Sequence, residues 1–564
     1  MRLQARLALL FALALLAPAG SATAQGVRTG RTSGHPLGGD QTCYDVLHYA
    51  LDLTVDPKKK AISGTLAMRA KITQATARLG LDLDGDLEVS RVCLGDATLQ
   101  FEQADGKVMF DLQEPGCQPG QEVEVVVTYG GVPRVAANPP WQGGFTWAET
   151  KQGRPWIATS CQLEGADLWW PCKDHPSDEP DSMDIRVTVP KPLIVASNGK
   201  LVSVEPAARK GWHTYHWHVS TPINTYGVAL NIAPYRTISK KIKSVAGDTF
   251  EVTYWVLPEN YKKGKELFKE ILEHMEFCEK VFGPYPFRAD KYGVAETPHL
   301  GMEHQTIVAY GNKYRGNPWG KQQGFDFLHH HEFSHEWWGN LVTAAYWNDF
   351  WIHEGFGTYA QALYVEELHG IEEYHVEMAS TRRKIQNSAV LAPREPRSSG
   401  EMESGGGGPG QDVYSRGSWV LHSLRWLVGD EKFFLALRRM AYPDPELEKT
   451  TDGSACRLAT TDEIRQIAEQ HTGFDLQWFF EVYLRQPGLP RLEHEVKGSE
   501  LHLRWVVPGE REFPMPVPVK VGKSVVRVEM PEGRGVLRLK SMQFELDPDN
   551  WILKEEPDLR GDRK

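Results

Sequence analysis

Nothing in the 564-residue sequence approaches the run of about 18 consecutive apolar residues that a membrane-spanning helix needs. The apolar stretch from Leu7 to Leu16 is too short to cross a bilayer comfortably. Cysteine is scarce and odd in number. The seven residues Cys43, Cys93, Cys117, Cys161, Cys172, Cys278 and Cys456 contain no CxxC spacing, so neither a zinc ribbon nor a disulfide framework defines the fold. Cys93 with Cys117, or Cys161 with Cys172, could pair; the alternative is that most of them are small buried apolar side chains. Positive charge is in deficit, with 63 Lys and Arg against 74 Asp and Glu and a net charge of -11. The run Lys58, Lys59, Lys60 is too short to form a basic stripe, which argues against a nucleic-acid partner. No internal repeat at solenoid or propeller periods is present.

What is there belongs to the globular range: 41% hydrophobic and 24% charged residues, enough to bury cores. At roughly 150 residues per domain the length suggests about three or four domains. The first residues carry a separate message. Arg2 and Arg6, the apolar run, and the small residues ending Ala22-Thr23-Ala24 read as a secretory signal peptide over residues 1–24, with no cysteine after the cleavage point to carry a lipid. The expectation is an exported chain, periplasmic or secreted, with no transmembrane segment once the signal is removed.

From about Asp45 to Arg236 apolar residues alternate with period two, as in Leu51, Leu53, Val55, and the region reads as strands. After about Tyr254 the spacing becomes helical over 261–282, 325–338, 350–368 and 413–428. Past Gln486-Pro487-Gly488 alternation returns in Leu501, Leu503, Trp505 and Val517, Val519, Val521, predicting a small all-β domain. The glycine-rich stretch 398–410 is expected to be a mobile loop. Arg560-Gly561-Asp562 matches an adhesion tripeptide, but three residues in a charged terminus carry no weight.

The informative stretch is His331-Glu332-Phe333-Ser334-His335, an HExxH motif in a helical segment. Four residues advance an α-helix by about 400°, so His331 and His335 project from one face and can bind one zinc ion. Glu332 sits beside them, where a general base for a water molecule belongs. Catalytic zinc takes a third protein ligand and keeps an open position. The next helix offers Glu354 in Trp351-Ile352-His353-Glu354-Gly355-Phe356, separated from His335 by eighteen residues and brought back by a turn around Thr343 to Asn348. The inferred ligands are His331, His335 and Glu354 for one Zn²⁺ per chain. His329, His330 and His353 lie off that face and read as packing or supporting groups, and Trp337 and Trp338 as core.

HEFSHEWWGN, eighteen spacer residues and WIHEGFGTY resemble the gluzincin zinc aminopeptidases, the aminopeptidase N and leukotriene hydrolase family. Leu300-Gly301-Met302-Glu303-His304 is similar to that family's exopeptidase motif, with Leu-Gly read for Gly-Ala and His304 in place of asparagine. The resemblance extends over most residues from about 45 to 550. It implies a multidomain α+β chain: a saddle-like N-terminal β domain over 41–244, a thermolysin-like, mainly helical zinc catalytic domain over 245–489, and a small C-terminal β-sandwich over 490–555.

The resemblance also implies roles. Glu303 would grip a free α-ammonium, which an internal peptide cannot supply, with Gly301 and Met302 beside it in substrate binding. Gln162, nine residues before Pro171, would stand on the amine side. Tyr414, in Tyr414-Ser415-Arg416-Gly417, is similar to the family's Tyr-x-Lys-Gly tyrosine and would donate to the oxyanion. The expectation is a zinc aminopeptidase that removes residues from peptides with a free N-terminus. Its competitors are a thermolysin-type endopeptidase, against which the Gly-Met-Glu segment argues, and a zinc-containing peptide-binding scaffold without turnover, against which the retained catalytic groups argue.

Overall fold

The computed structural model describes residues 32–112 and 115–555. The signal peptide at 1–24 and the Arg560-Gly561-Asp562 tripeptide lie outside them. No helix among the described residues is long and apolar enough to cross a membrane.

The first part of the chain is β-structure, as the alternation predicts. Tyr44–Asp56 buries Tyr49, Leu51, Leu53 and Val55 on one face while its other face stays partly solvated. It sits inside an eight-stranded sheet, paired antiparallel to Ala61–Ile72 and parallel to Ser182–Pro190. A second sheet of four strands holds Pro155–Ser160 between Leu230–Ala233 and Gly144–Glu149. Its strand Pro155–Ser160 leads directly into Gln162. The next sheet runs Arg236–Lys243, Thr249–Val256, Tyr292–Glu296, Val308–Tyr310, Gly301–Met302. Arg236–Lys243 falls within 41–244 but pairs with Thr249–Val256 along its whole length, as the outer strand of the sheet that carries Glu303.

The middle is mainly helical: α1 (Tyr261–Phe282), α2 (Phe327–Ser334), α3 (Trp351–His369), α4 (Ile371–Arg382), the short α5 (Ser399–Met402), α6 (Asp412–Val428), α7 (Asp430–Ala441), α8 (Thr461–Thr472) and α9 (Gln477–Leu484). Asp326 caps α2, accepting from the His329 amide, and its carboxylate also takes hydrogen bonds from Tyr310 and Asn312. The helix stops at Ser334, four residues before the apolar pattern does. Trp337 and Trp338 turn into the core instead, and Gly339 takes a φ of 138° that a side chain would strain. Two three-stranded sheets close the chain, one of Arg491–Lys497, Glu500–Val506 and Arg534–Arg538, the other of Ser524–Val528, Val517–Val521 and Phe544–Leu546.

One expectation changes, and one open alternative is decided. The stretch 398–410 is ordered rather than mobile at its start: Ser398 and Glu401 form a capping box on α5, Ser399 donates to the Leu163 carbonyl, and the Ser399 amide donates to the Ser33 carbonyl. Composition pointed to a segment too poor in apolar groups to order itself, but neighbouring backbone supplies the partners. No cysteine is paired; all seven are free, and Cys43, Cys161, Cys172 and Cys278 are buried as small apolar groups.

Candidate metal centre and amine pocket

His331, on α2, and His335, the C-cap residue that continues its helical turn, point the same way, and their Nε2 atoms stand 3.2 Å apart. Glu354, in the first turn of α3, brings Oε2 to 3.3 Å from His331 Nε2 and 3.5 Å from His335 Nε2. A tetrahedral ion about 2.0–2.1 Å from each donor requires donors about 3.3 Å apart, so this triangle is the size a zinc ion needs. Glu354 Oε2 is buried and accepts no hydrogen bond, which leaves it to the ion pair with the imidazoles or to a cation. The Nδ1–H of His335 is held by the Trp338 carbonyl at 2.8 Å, which turns the Nε2 lone pair to the centre of the triangle.

Glycine makes the convergence possible. A Cβ at Gly357 would meet the Cε1 atoms of His335 at 3.1 Å and His331 at 3.2 Å. A Cβ at Gly355 would lie 2.9 Å from the Gly417 Cα, and one at Gly417 would lie 2.8 Å from the Gly355 Cα. The two glycines let α3 and α6 close below the usual side-chain-limited separation. That contact carries Tyr414 over the metal site, its ring stacked on His331 with centroids 6.0 Å apart.

Charge without a metal arranges itself around the acids. The paired imidazoles hold the Glu354 carboxyl below the carboxylate range despite its burial, and Glu354 with the neighbouring acids pushes His335 up to about 10. Burial, reinforced by Glu303, pushes Glu332 well above the usual carboxylate range; a dication at the triangle would draw it back. Burial and then Glu354 push the Tyr414 phenol up, so it stays a donor.

The edge strand Gly301–Met302, paired with Tyr310 and Ala309, places Glu303 at the same cavity. Gly301 lies against the base: a Cβ there would meet Glu332 Oε1 at 2.2 Å. Met302 is buried and lines the cavity wall. The backbone around Glu303 is fixed from several sides. Asn340 donates to the Glu303 carbonyl at 3.0 Å, Glu336 accepts the Thr306 amide at 2.8 Å, and the buried Lys291 donates to the Thr306 carbonyl at 2.7 Å.

Gln162 donates from Nε2 to Glu303 Oε1, a direct bond between the two residues that the sequence placed on the amine side. A second donor to the same oxygen is Tyr226, at 3.2 Å, which no sequence feature marked. Its orientation follows from His353. The Ala344 amide donates to His353 Nε2 at 2.8 Å, so the neutral ring carries its proton on Nδ1, which faces the Tyr226 hydroxyl at 3.4 Å. The tyrosine must then donate onward to Glu303. Burial keeps His353 neutral, pushing it down to about 3, and pushes Glu303 up to about 7. His329 bonds His274 and Tyr292, and His330 stacks on Tyr364, so both lie outside the ligand triangle. Ligand atoms of Glu303, Glu332 and His335 also lie within 4.8 Å of one another. That second group omits His331 and uses a carboxylate already held by two donors, which makes it the poorer cage.

An HExxH helix, a glutamate from the following helix and an edge strand over both define a metal centre of the gluzincin class on a mainly helical domain preceded by β-sheets. Residues 45–226 match the Peptidase M1 N-terminal domain and residues 266–481 the Peptidase family M1 domain. The chain belongs to peptidase family M1, whose centre carries a single catalytic zinc ion. The chain is 25% identical over 391 residues to human Endoplasmic reticulum aminopeptidase 1, covering 63% of this chain and 40% of the relative. With mouse Aminopeptidase B it shares 26% over 437 residues, 69% of this chain and 62% of the relative. It thus spans about two fifths to three fifths of the length of these relatives. The M1 zinc metallopeptidase from Deinococcus radiodurans superposes with a TM-score of 0.62 at 24% identity, over 81% of this chain and 96% of that one. A mutant M1 zinc metallopeptidase of that organism bound to a Tyr-Ser-Ala substrate gives the same TM-score over 79% and 95%. These likenesses carry the fold.

Proposed function

We propose that the protein is a zinc-dependent aminopeptidase that hydrolyses the first peptide bond of substrates with a free N-terminus. The observation that carries this is the place of Glu303: a carboxylate, 3% exposed, whose ligand atom lies within 4.8 Å of those of Glu332 and His335. A carboxylate so near the base and a metal ligand can pair with an α-ammonium about one residue from the scissile bond, a charge that an endopeptidase's internal segment does not carry. The relatives named aminopeptidases and the peptide-bound neighbour support the same reading.

His331, His335 and Glu354 would hold the zinc, which when bound polarises the scissile carbonyl and acidifies water. Glu303 receives the α-ammonium while Gln162 and Tyr226 keep its Oε1 in place. Glu332 takes the proton of the attacking water and returns it to the leaving amine. Tyr414 donates its hydroxyl to the oxygen that becomes negative at the tetrahedral stage. We further infer export to the periplasm or the medium, supported by the charged, apolar and small-residue order of residues 1–24.

Acetylating the substrate's amino group should abolish turnover of an aminoacyl fluorogenic amide, since the blocked amine offers Glu303 no charge; a rate that survives acetylation favours the endopeptidase. Tyr226→Phe removes one donor to Glu303 without touching metal or base. It is expected to raise KM about tenfold with a smaller change in kcat, because the lost bond serves ground state and transition state alike. An unchanged KM would remove Tyr226 from amine recognition.

A further inference from the structure

The site opens into a cavity of about 460 Å³, whose charged lining is uneven. Glu303, Glu332 and Glu354 gather around the candidate metal ligands, and Glu377 of α4 also lines the cavity. Among the described residues Lys384 is the only lysine or arginine that lines it. Among the described residues the Lys384 ammonium makes no ion pair and no hydrogen bond within reach, and the residue is exposed. Burial pushes the Glu377 carboxyl above the usual carboxylate range, opposed in part by the charges of Lys384 and of Arg383, which lies off the cavity, with no close ion pair to either.

The backbone under Lys384 is nonetheless fixed. Its amide donates to the Thr381 carbonyl at 3.0 Å. Two residues on, the Gln386 and Asn387 amides donate to the Asp412 carboxylate at 2.8 and 2.6 Å, and Arg416 donates to Asn387 Oδ1 at 2.8 Å. These bonds tie the segment after α4 to the first turns of α6, the helix that carries Tyr414. A peptide with its amine at Glu303 and its carbonyl at the ligand triangle leaves its remaining residues to the rest of the lining, which includes Ser380 and Thr381 of α4, Lys384 just after it, and Gln411 and Ser415 at the start of α6. The volume lies in the range that encloses a small ligand, here a peptide of about two or three residues. At that length the chain's second terminal charge arrives at this lining.

We propose that Lys384 closes the substrate site by binding the C-terminal carboxylate of short peptides, so that both ends of the substrate are read by charge. The proposal rests on the aminopeptidase reading for the direction of the peptide. A flexible, solvent-reached ammonium paired with a carboxylate discriminates an acid from its neutral amide by about tenfold.

The test is calorimetric binding of trialanine and trialaninamide to the zinc-loaded Glu332→Gln protein, which takes turnover out of the measurement. Trialanine is expected to bind about tenfold tighter than the amide. Lys384→Gln should bring the two affinities together, and Lys384→Arg should keep them apart. Glu377→Gln, which removes a competing charge, should widen the gap. Equal affinities in the parent, a gap that survives Lys384→Gln, or failure of both peptides to bind would each overturn the proposal. N-acetyl-trialanine separates the two readings: if it binds as well as trialanine, amine recognition fails, while the acid and amide pair still decides Lys384.

Discussion

Glu332→Gln is expected to lower kcat for an aminoacyl amide by ~10²–10⁴, the range general acid–base catalysis supplies, with zinc content and KM close to those of the parent. Glutamine keeps the size of the side chain in a site where Glu332 is only 7% exposed, so packing is not the variable. What is removed is the capacity to accept a proton. The residue is well placed for the task because it adjoins His331 in sequence and its carboxylate oxygen lies within 4.8 Å of the ligand atom of His335. Zinc content makes the experiment sharper. Glu332 also belongs to the second possible ligand group with Glu303 and His335. If Glu332→Gln loses its zinc, the ligand set has been misassigned; if it keeps its zinc and a rate within about tenfold of the parent, the general-base assignment fails.

His335→Ala should fail in two separable ways. With one donor gone the protein should purify with well under one zinc per chain, and added zinc should restore little activity. Stability should fall even in the presence of a chelator. In the metal-free protein His335 and Glu354 form a buried pair, 1% and 3% exposed, and removing the imidazole leaves the buried carboxylate with His331 as its one imidazole, beside the acids Glu303 and Glu332. Breaking a buried pair from one side costs about 3–5 kcal/mol, measurable by denaturant unfolding. The sign follows from the charges: Glu354 is held ionised by its imidazoles, so its loss of partner penalises the folded state alone. A chelated variant as stable as the chelated parent would mean the pair is not formed without metal.

Much of the site was legible because its chemistry depends on local periodicity. The spacing of His331 and His335 is a property of any helix, and Glu332 follows from adjacency. Glu354 and Tyr414 required the resemblance as well as the spacing, since no local rule fixes how α3 and α6 return to α2. Tyr226 was invisible for a related reason. It comes from a turn in the N-terminal β region and reaches Glu303 across 77 residues of sequence, with no pattern to mark it. His353 was read as a supporting group, but what it supports, the donor direction of Tyr226, depends on an amide from Ala344. The ordering of the stretch after Ser398 was missed because composition speaks for a segment's own atoms, whereas here the partners are backbone groups of Ser33 and Leu163.

The sequence by itself determined the order of β, helical and β regions and set His331, Glu332 and His335 within about one helical turn, because hydrophobic period and residue spacing are short-range quantities. Only the tertiary structure decided how closely α3 and α6 approach at Gly355 and Gly417, which donors hold Glu303, and that Lys384 lines the same cavity as Glu303 and Glu354. Those are distances between segments remote in sequence, set by packing of the whole core rather than by any stretch of it.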